Sequence, residues 1–233
     1  GQGYSPVMYK TGEMITPRYY RVAAHAYVYS VRDRANPRFV RDITFPGTYY
    51  DSRMIGDRVY VITNEPVYMY ADEIPMPAVK DEAGTTIEPP VSYFDVSFNS
   101  YTFSTLSSFS MTDDRSLSAE SFLLGYTSTL YVSQEHIYMA FQKPVTVSPQ
   151  PMVGTDVVTV RRQPAGEVTA IYRFAIRDGR IRYGATGEVE GHLLNQFSMD
   201  EYSGDLRVAT TVQGYGSSGS YEYNNVFVLD PGM

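Results

Sequence analysis

Short runs of alternating apolar and polar residues recur along the whole chain, and turn-forming residues separate them. The runs are rich in Val, Ile, Tyr and Phe, which favour β-strands. No long window repeats its apolar residues at the 3.6-residue period of a helix. The pattern therefore predicts an all-β chain of strands joined by short turns.

Four of these runs share one form, an aromatic or aliphatic strand that ends in a polar turn. We label this form strand c, and its copies lie at 27–33, 92–97, 171–178 and 225–230. A short turn leads from the first three copies into a further strand, d, at 38–45, 101–110 and 180–189. Turn residues such as Asp178-Gly179 are typical of hairpins, so c and d are predicted to pair.

A second form follows each strand d. A strand a, a tight turn and a strand b are predicted at 48–55 with 58–62, at 121–132 with 136–140, and at 192–199 with 205–209. The order a-b-c-d then repeats, and four antiparallel strands joined by short hairpins describe a propeller blade.

The predicted fold is accordingly all-β, a β-propeller arc of four-stranded antiparallel blades. Residues 1–17 are expected to be irregular, and 18–233 to form a c-d pair (18–46), a blade (48–110), a second blade (120–189) and an a-b-c set (191–230). This amounts to about three to three and a half blades, whereas propellers contain roughly four to eight. We therefore expect the remaining blades to come from another fragment or another chain, or to be absent.

The connections from b to c are the long ones, at 64–90, 142–167 and 213–223. They should lie on one face of the arc, where ordered loops on a rigid scaffold commonly bind partners. In the first, Tyr68 and Tyr70 stand among acidic residues and are candidate binding residues, and the alternative is a loop folded back over the blade edge. Asn195 and Gln196, on a predicted inner strand a, are candidates for lining a central channel.

A family resemblance is carried by the segments 28–37 and 51–63 and above all by 187–211, GEVEGHLLNQFSMDEYSGDLRVATT. With these motifs the chain resembles the secreted β-propeller domain proteins of archaea and bacteria, which are distantly related to WD40 repeats. The resemblance extends from about residue 19 to residue 230. It implies a propeller fold, a secreted or cell-surface location and no established activity.

Composition narrows the function classes. The formal net charge is −7, which disfavours binding to nucleic acid or to an anionic membrane surface, since both require basic patches. Cysteine is absent, which removes disulfides and cysteine-ligated zinc. The three histidines show no metal-binding spacing, and no apolar run is long enough for a membrane-spanning helix.

An acidic hairpin offers one cation site. Asp200, Glu201 and Asp205, with backbone carbonyls, are candidate Ca²⁺ ligands, because Ca²⁺ prefers several hard oxygen ligands. The alternative is a solvated acidic turn, and no other cofactor is indicated. Residues 214–219 match G-x-G-x-x-G, but a strand rather than a helix follows them, so we interpret them as a glycine-serine loop.

The favoured hypothesis is an extracellular, non-catalytic binding or scaffold module that presents its long b-c loops to a protein or a glycan. No catalytic residues are proposed, because no nucleophile or metal motif is present in the sequence. A hydrolase working in the propeller channel and a structural component of a cell-surface assembly remain as alternatives.

Overall fold

The computed structural model describes residues 21–67, 74–94, 100–113, 116–125, 129–143, 167–216 and 219–233. Within these residues the strands form four sheets, which we number I to IV in chain order. Sheet I contains β1 (Ala23–Ser30), β2 (Arg38–Pro46), β5 (Val79–Asp81) and β6 (Thr86–Ile87). Sheet II contains β3 (Thr48–Ile55), β4 (Arg58–Val67), β8 (Tyr101–Ser110), β9 (Leu117–Leu124) and β7 (Val91–Tyr93).

Sheets III and IV follow in the second half of the chain. Sheet III contains β10 (Thr129–Val132), β11 (His136–Lys143), β12 (Val168–Arg177) and β13 (Arg180–Glu190). Sheet IV contains β14 (Met199–Tyr202), β15 (Asp205–Gly216) and β16 (Gly219–Leu229), and a one-turn 3₁₀ helix (Gln196–Ser198) precedes it. The predicted all-β fold of consecutive antiparallel sheets is therefore confirmed.

The sheets are stacked face to face, and each successive pair encloses an apolar core. Sheets I and II bury Phe45 against Phe109, II and III bury Phe122 against Phe174, and III and IV bury Tyr138 and Ile171 against Val208. Side chains alternate along a strand, so each internal sheet supplies residues to two cores. For this reason β8 and β11 are buried along almost their entire length.

The stack has two distinguishable ends. Tight turns such as Gly56-Asp57, Asp178-Gly179 and Ser203-Gly204 lie at one end, which we call the turn side. A hydrogen bond from Ser108 to the carbonyl of Gly179 joins sheets II and III there. Strands β4, β11 and β15 finish at the opposite end, which we call the connection side.

Two glycines mark the passage from one sheet to the next. Gly47 follows β2 of sheet I and Gly191 follows β13 of sheet III, both with a positive φ. A Cβ atom at Gly47 would lie 2.5 Å from the carbonyl oxygen of Asn64, and one at Gly191 would lie 2.6 Å from that of Thr211. Only glycine tolerates both the positive φ and the close approach of a carbonyl oxygen, so both links between sheets require glycine.

The predicted strand assignment in sheet II is wrong. The third strand is β8, predicted as d, and the fourth is β9, whereas residues 91–93 form only a short strand parallel to β9. The blade thus extends from 48 to 124 rather than to 110, and the next occupies 129–190 rather than 120–189. The prediction failed because β8 is rich in Ser and Thr, although it lies in the middle of the sheet. Its buried hydroxyls form hydrogen bonds with neighbouring strands, as Ser104 does with Asn64 and Thr105 with Ser121.

The described parts of two long connections, predicted as loops, form paired strands. The described part of the first folds back, and its β5 strand pairs with β2 at the edge of sheet I, where Asp81 forms an ion pair with buried Arg41. This part therefore folds back over the edge of sheet I, although its apolar side chains Ile74 and Met76 remain exposed. The predicted connection 213–223 is not a loop, because β15 and β16 run as one hairpin as far as Gly216 and Gly219.

Sheets I and III repeat each other closely in their c-d hairpins. The strand pairing shifts by one residue at Val28/Tyr29 in β1 and at Arg173/Phe174 in β12. Tyr29 and Phe174, which follow these shifts, therefore occupy equivalent positions. Phe174 is buried between sheets II and III, whereas Tyr29 is exposed on the outer face of sheet I.

This equivalence gives a matched test of the inter-sheet core. Phe174→Ala should destabilise the protein by roughly 3–5 kcal/mol, because it opens a cavity between two sheets. Tyr29→Ala, the control, should cost less than about 1 kcal/mol. The free energies of unfolding are to be compared by urea denaturation in dilute solution; equal costs would contradict the stacked arrangement.

Candidate functional site

A polar cluster lies between sheets III and IV on the turn side, centred on Glu201. Strand β14 alternates its residues, so Met199 and Glu201 point toward sheet III while Asp200 and Tyr202 point outward. The facing residue is His136, the first residue of β11. The side chains of His136 and Glu201 are each only 9% exposed, so this is an almost fully buried histidine–carboxylate pair.

Glu201 accepts hydrogen bonds from three side chains of sheet III and its turn. Ser133 Oγ lies 2.5 Å and Tyr138 OH 3.0 Å from Oε2, and His136 Nδ1 lies 2.9 Å from Oε1. The backbone N–H of Glu201 in turn donates to the hydroxyl of Tyr131 at 3.1 Å. The carboxylate is thus saturated with donors, which compensates for the cost of burying its charge.

Arg173 completes the cluster and determines the proton position on the histidine. Its Nη2 lies 3.0 Å from His136 Nε2, and its Nη1 donates to the carbonyl of Pro231 at 2.6 Å. A guanidinium has donors only, so Nε2 must accept and the ring proton must be on Nδ1, where it is donated to Glu201. A chain of hydrogen bonds therefore runs from the Arg173 guanidinium through the His136 imidazole to the Glu201 carboxylate and joins sheet III to sheet IV.

The surroundings lower the pKa of Glu201 and raise the pKa of Tyr138. Burial acts to raise the pKa of Glu201, but the hydrogen bonds from Ser133, His136 and Tyr138 outweigh it, and the pKa is held below its ordinary value. Burial raises the pKa of the Tyr138 phenol, and the charge of Glu201 beside it adds to the effect. At neutral pH the cluster therefore holds a carboxylate and a neutral phenol.

The cluster also contains a potential set of metal ligands. Glu135, exposed on the β10–β11 turn, brings a carboxylate oxygen within 4.8 Å of ligand atoms of His136 and Glu201. Coordination through Nδ1 would move the ring proton to Nε2, where it would face the N–H of Arg173 at 3.0 Å. Two donors would then oppose each other, so the geometry favours the Arg–His–Glu chain over a metal centre.

The three predicted Ca²⁺ ligands are not brought together. Asp200 lies on the outer face of β14, the face opposite to Glu201, and forms an ion pair with Arg207. Asp205 begins β15 opposite Tyr202. Only Glu201 of the predicted set belongs to the cluster. Successive residues of a strand point to opposite faces, so the adjacent Asp200 and Glu201 are separated by the sheet.

The structure describes two of the four predicted binding residues. Tyr68 and Tyr70 lie outside the described residues. Asn195 and Gln196 are exposed, but they are not on an inner strand as predicted, because residues 196–198 form the 3₁₀ helix. Asn195 Oδ1 accepts from the N–H of Phe197 at 2.8 Å, and such local bonds of Asn compete with strand pairing.

Several cluster residues were missed by the sequence interpretation. Sequence patterns single out none of His136, Ser133, Tyr138 and Arg173 as site residues. One signal was available: Arg173 interrupts the apolar strand Ile171-Tyr172-Arg173-Phe174, and an arginine within a buried strand requires a polar partner.

Comparison with known proteins gives one family and two partial relatives. A family model described as a β-propeller domain matches residues 1–233. An uncharacterized protein of Methanocaldococcus jannaschii is 51% identical over 45 residues, 19% of this chain and 7% of the relative. An uncharacterized protein of Archaeoglobus fulgidus is 41% identical over 64 residues, 28% of this chain and 9% of the relative. The similarity thus spans a small part of each relative's length.

Among the described residues, no helix combines the length and the apolar character needed to span a bilayer.

Removing the Glu201 carboxylate should lower the free energy of unfolding. Glu201→Ala leaves His136 and Arg173 without their anion, and it should destabilise the protein by roughly 3 kcal/mol. Asp200→Ala, one residue away, removes an exposed ion pair and should cost less than about 1 kcal/mol. Urea denaturation at pH 7 measures both, and a difference below the experimental error would show that the cluster does not hold the sheets together.

The lowered pKa of Glu201 also predicts an acid sensitivity. Its stabilising contribution is present above the unfolded-state pKa, about 4.5, and is lost as the pH falls through the lower folded-state value, because the unfolded chain then binds the proton more readily. Urea midpoints at pH 7, 5, 4 and 3 should fall more steeply for the wild type than for Glu201→Gln. Parallel curves would contradict the shift.

Proposed function

This chain belongs to the β-propeller domain family, and we propose that it serves as an extracellular, non-catalytic binding module that presents its connection side to a protein or a glycan. The location outside the cell rests on the family resemblance. The binding role rests on one structural feature, the tip of the β15–β16 hairpin.

The described part of the hairpin tip, residues 213–216 and 219–224, extends beyond β14 on the connection side. Toward Leu229, strand β16 alternates exposed and partly buried residues, but residues 219–224 are exposed on both faces. The rings of Tyr221 and Tyr223 lie parallel there, 6.1 Å apart with an interplanar angle of 16°. Both rings are 41% exposed, so this aromatic pair offers a contact surface rather than a core element.

Two contacts position the tyrosine pair. A Cβ atom at Gly214, which is paired with Tyr221 across the hairpin, would lie 2.3 Å from the tyrosine hydroxyl, so the missing side chain lets the ring cross the strand. The hydroxyl of Tyr223 donates to Glu190 of sheet III at 3.0 Å. A preordered tyrosine pair loses little conformational entropy on binding.

The chemistry of the tip suits a glycan or a polar protein surface. Tyrosine combines an apolar ring with a hydroxyl, and the opposite face of the hairpin carries paired polar groups, Gln213 with Glu222 and Thr211 with Asn224. The buried carboxylate of Glu201 is occupied by protein donors. Within the described residues this supports binding rather than acid–base catalysis.

A double substitution at the tip tests the proposal. Tyr221→Ser with Tyr223→Ser should reduce retention on a glycan array, or recovery of a partner from a cell-envelope fraction, by at least about tenfold, since loss of aromatic contacts of about 1.4 kcal/mol has that effect. The matched control is Tyr202→Ser, an exposed tyrosine at the other end of sheet IV. Equal binding by wild type and double variant would reject the tip as the binding element.

A further inference from the structure

We propose that the hairpin tip binds an arginine side chain of a partner protein, whose guanidinium contacts the rings of Tyr221 and Tyr223 and pairs with the carboxylate of Glu190. The inference rests on the binding role proposed for the tip and names the chemistry of its partner. Three features support it: the position of Glu190, the charge around the tip, and an arginine that sheet IV already holds in the same way.

Glu190 lies at the edge of the tyrosine pair. Its side chain is exposed, and its Oε1 accepts a hydrogen bond from the hydroxyl of Tyr223 at 3.0 Å. Within the part of the chain that the structure describes, Oε2 accepts no hydrogen bond and no lysine or arginine pairs with it. A cation bonded to Oε2 would lie within the roughly 6 Å over which an aromatic ring attracts a cation.

The side chains around the tip leave negative charge uncompensated. Glu188 forms an ion pair with Lys143, whereas Glu190 and Glu222 are hydrogen bonded to neutral groups, a tyrosine hydroxyl and a glutamine amide. Complementary charge favours a cationic ligand here and disfavours phosphate, sulfate and uronate groups. The charge therefore favours a basic protein segment over a nucleic acid or an acidic glycan.

Sheet IV holds an arginine of its own by the same chemistry at its other end. The guanidinium carbon of Arg207 lies 4.9 Å from the ring centroid of Tyr202, and the same guanidinium pairs with Asp200. There the chain itself supplies the guanidinium for a tyrosine ring and a carboxylate. At the tip, two tyrosine rings and a carboxylate are present, and the described residues supply no guanidinium.

Arginine suits this arrangement better than lysine. A guanidinium is planar and weakly hydrated, so it can lie on an aromatic ring while its N–H groups donate to a carboxylate beside the ring. An ammonium group is compact and strongly hydrated, and it has no flat face to stack. Because both rings are 41% exposed, the contact is weak, and a short peptide should bind with a dissociation constant of about 1 mM.

Matched peptides test the inference. The 233-residue chain is titrated with acetyl-Gly-Arg-Gly-amide and with the same peptide carrying citrulline, which keeps the shape of arginine but has no charge. The ring signals of Tyr221 and Tyr223 are followed by NMR and identified from the single Ser variants. The arginine peptide should shift both signals, the citrulline peptide should bind at least about tenfold more weakly, and a lysine peptide at least about threefold more weakly.

Two carboxylate variants locate the charge. Glu190→Gln keeps an oxygen that can accept from Tyr223, so it should weaken the arginine peptide at least about fivefold and leave the citrulline peptide unchanged. Glu222→Gln is the control, because Glu222 lies on the opposite face of the hairpin, and it should change binding less than about twofold. Both residues are exposed, and thermal unfolding checks that each variant is folded.

The outcomes separate this inference from the binding role of the tip. Equal binding of the arginine and citrulline peptides, equal binding of the arginine and lysine peptides, or unchanged binding by Glu190→Gln overturns the inference. If the arginine peptide shifts neither signal while Tyr221→Ser with Tyr223→Ser still loses retention on a glycan array, the tip binds a glycan and only the inference is wrong. If that double variant also retains all binding, both proposals are wrong.

Discussion

Each β-sheet of this chain has two faces to cover, and the architecture follows from that constraint. Strand β11 shows it directly: Ile137 and Met139 pack against sheet II, while Tyr138 and Ala140 pack against sheet IV. Sheet III is therefore stable only between its neighbours. Gly47 leads from β2 of sheet I directly into β3 of sheet II, and Gly191 leads from β13 of sheet III toward sheet IV, so these sheets stack in their order along the chain.

Polar groups inside the stack are acceptable only where another sheet or strand supplies their partner. In β8 the hydroxyls of Ser104 and Thr105 bond to adjacent strands, which lets a Ser/Thr-rich segment occupy the middle of a sheet. Between sheets III and IV charged groups follow the same rule. Glu201 accepts hydrogen bonds from sheet III, and Arg173 donates to the carbonyl of Pro231. These bonds also specify how the two sheets are aligned, which apolar contacts alone define poorly.

Sequence patterns predicted what depends on local residues. The hairpins around Gly56-Asp57, Asp178-Gly179 and Ser203-Gly204 were found from turn chemistry, and the class of fold followed from their repetition. The strand assignment in sheet II failed because hydroxyl-rich β8 lacks the apolar signal of a central strand. The Glu201 cluster was missed because its members come from three strands and a turn, and only the packing of sheets III and IV brings them together.

The outer face of sheet IV is more polar than the internal interfaces. Equivalent hairpin positions place Arg207 where sheet II has Tyr60, and Tyr60 is buried against sheet III. Arg207 instead pairs with Asp200 and lies 4.9 Å above the ring of Tyr202. Covering this face would remove water from an ion pair, which costs free energy that apolar internal interfaces do not incur.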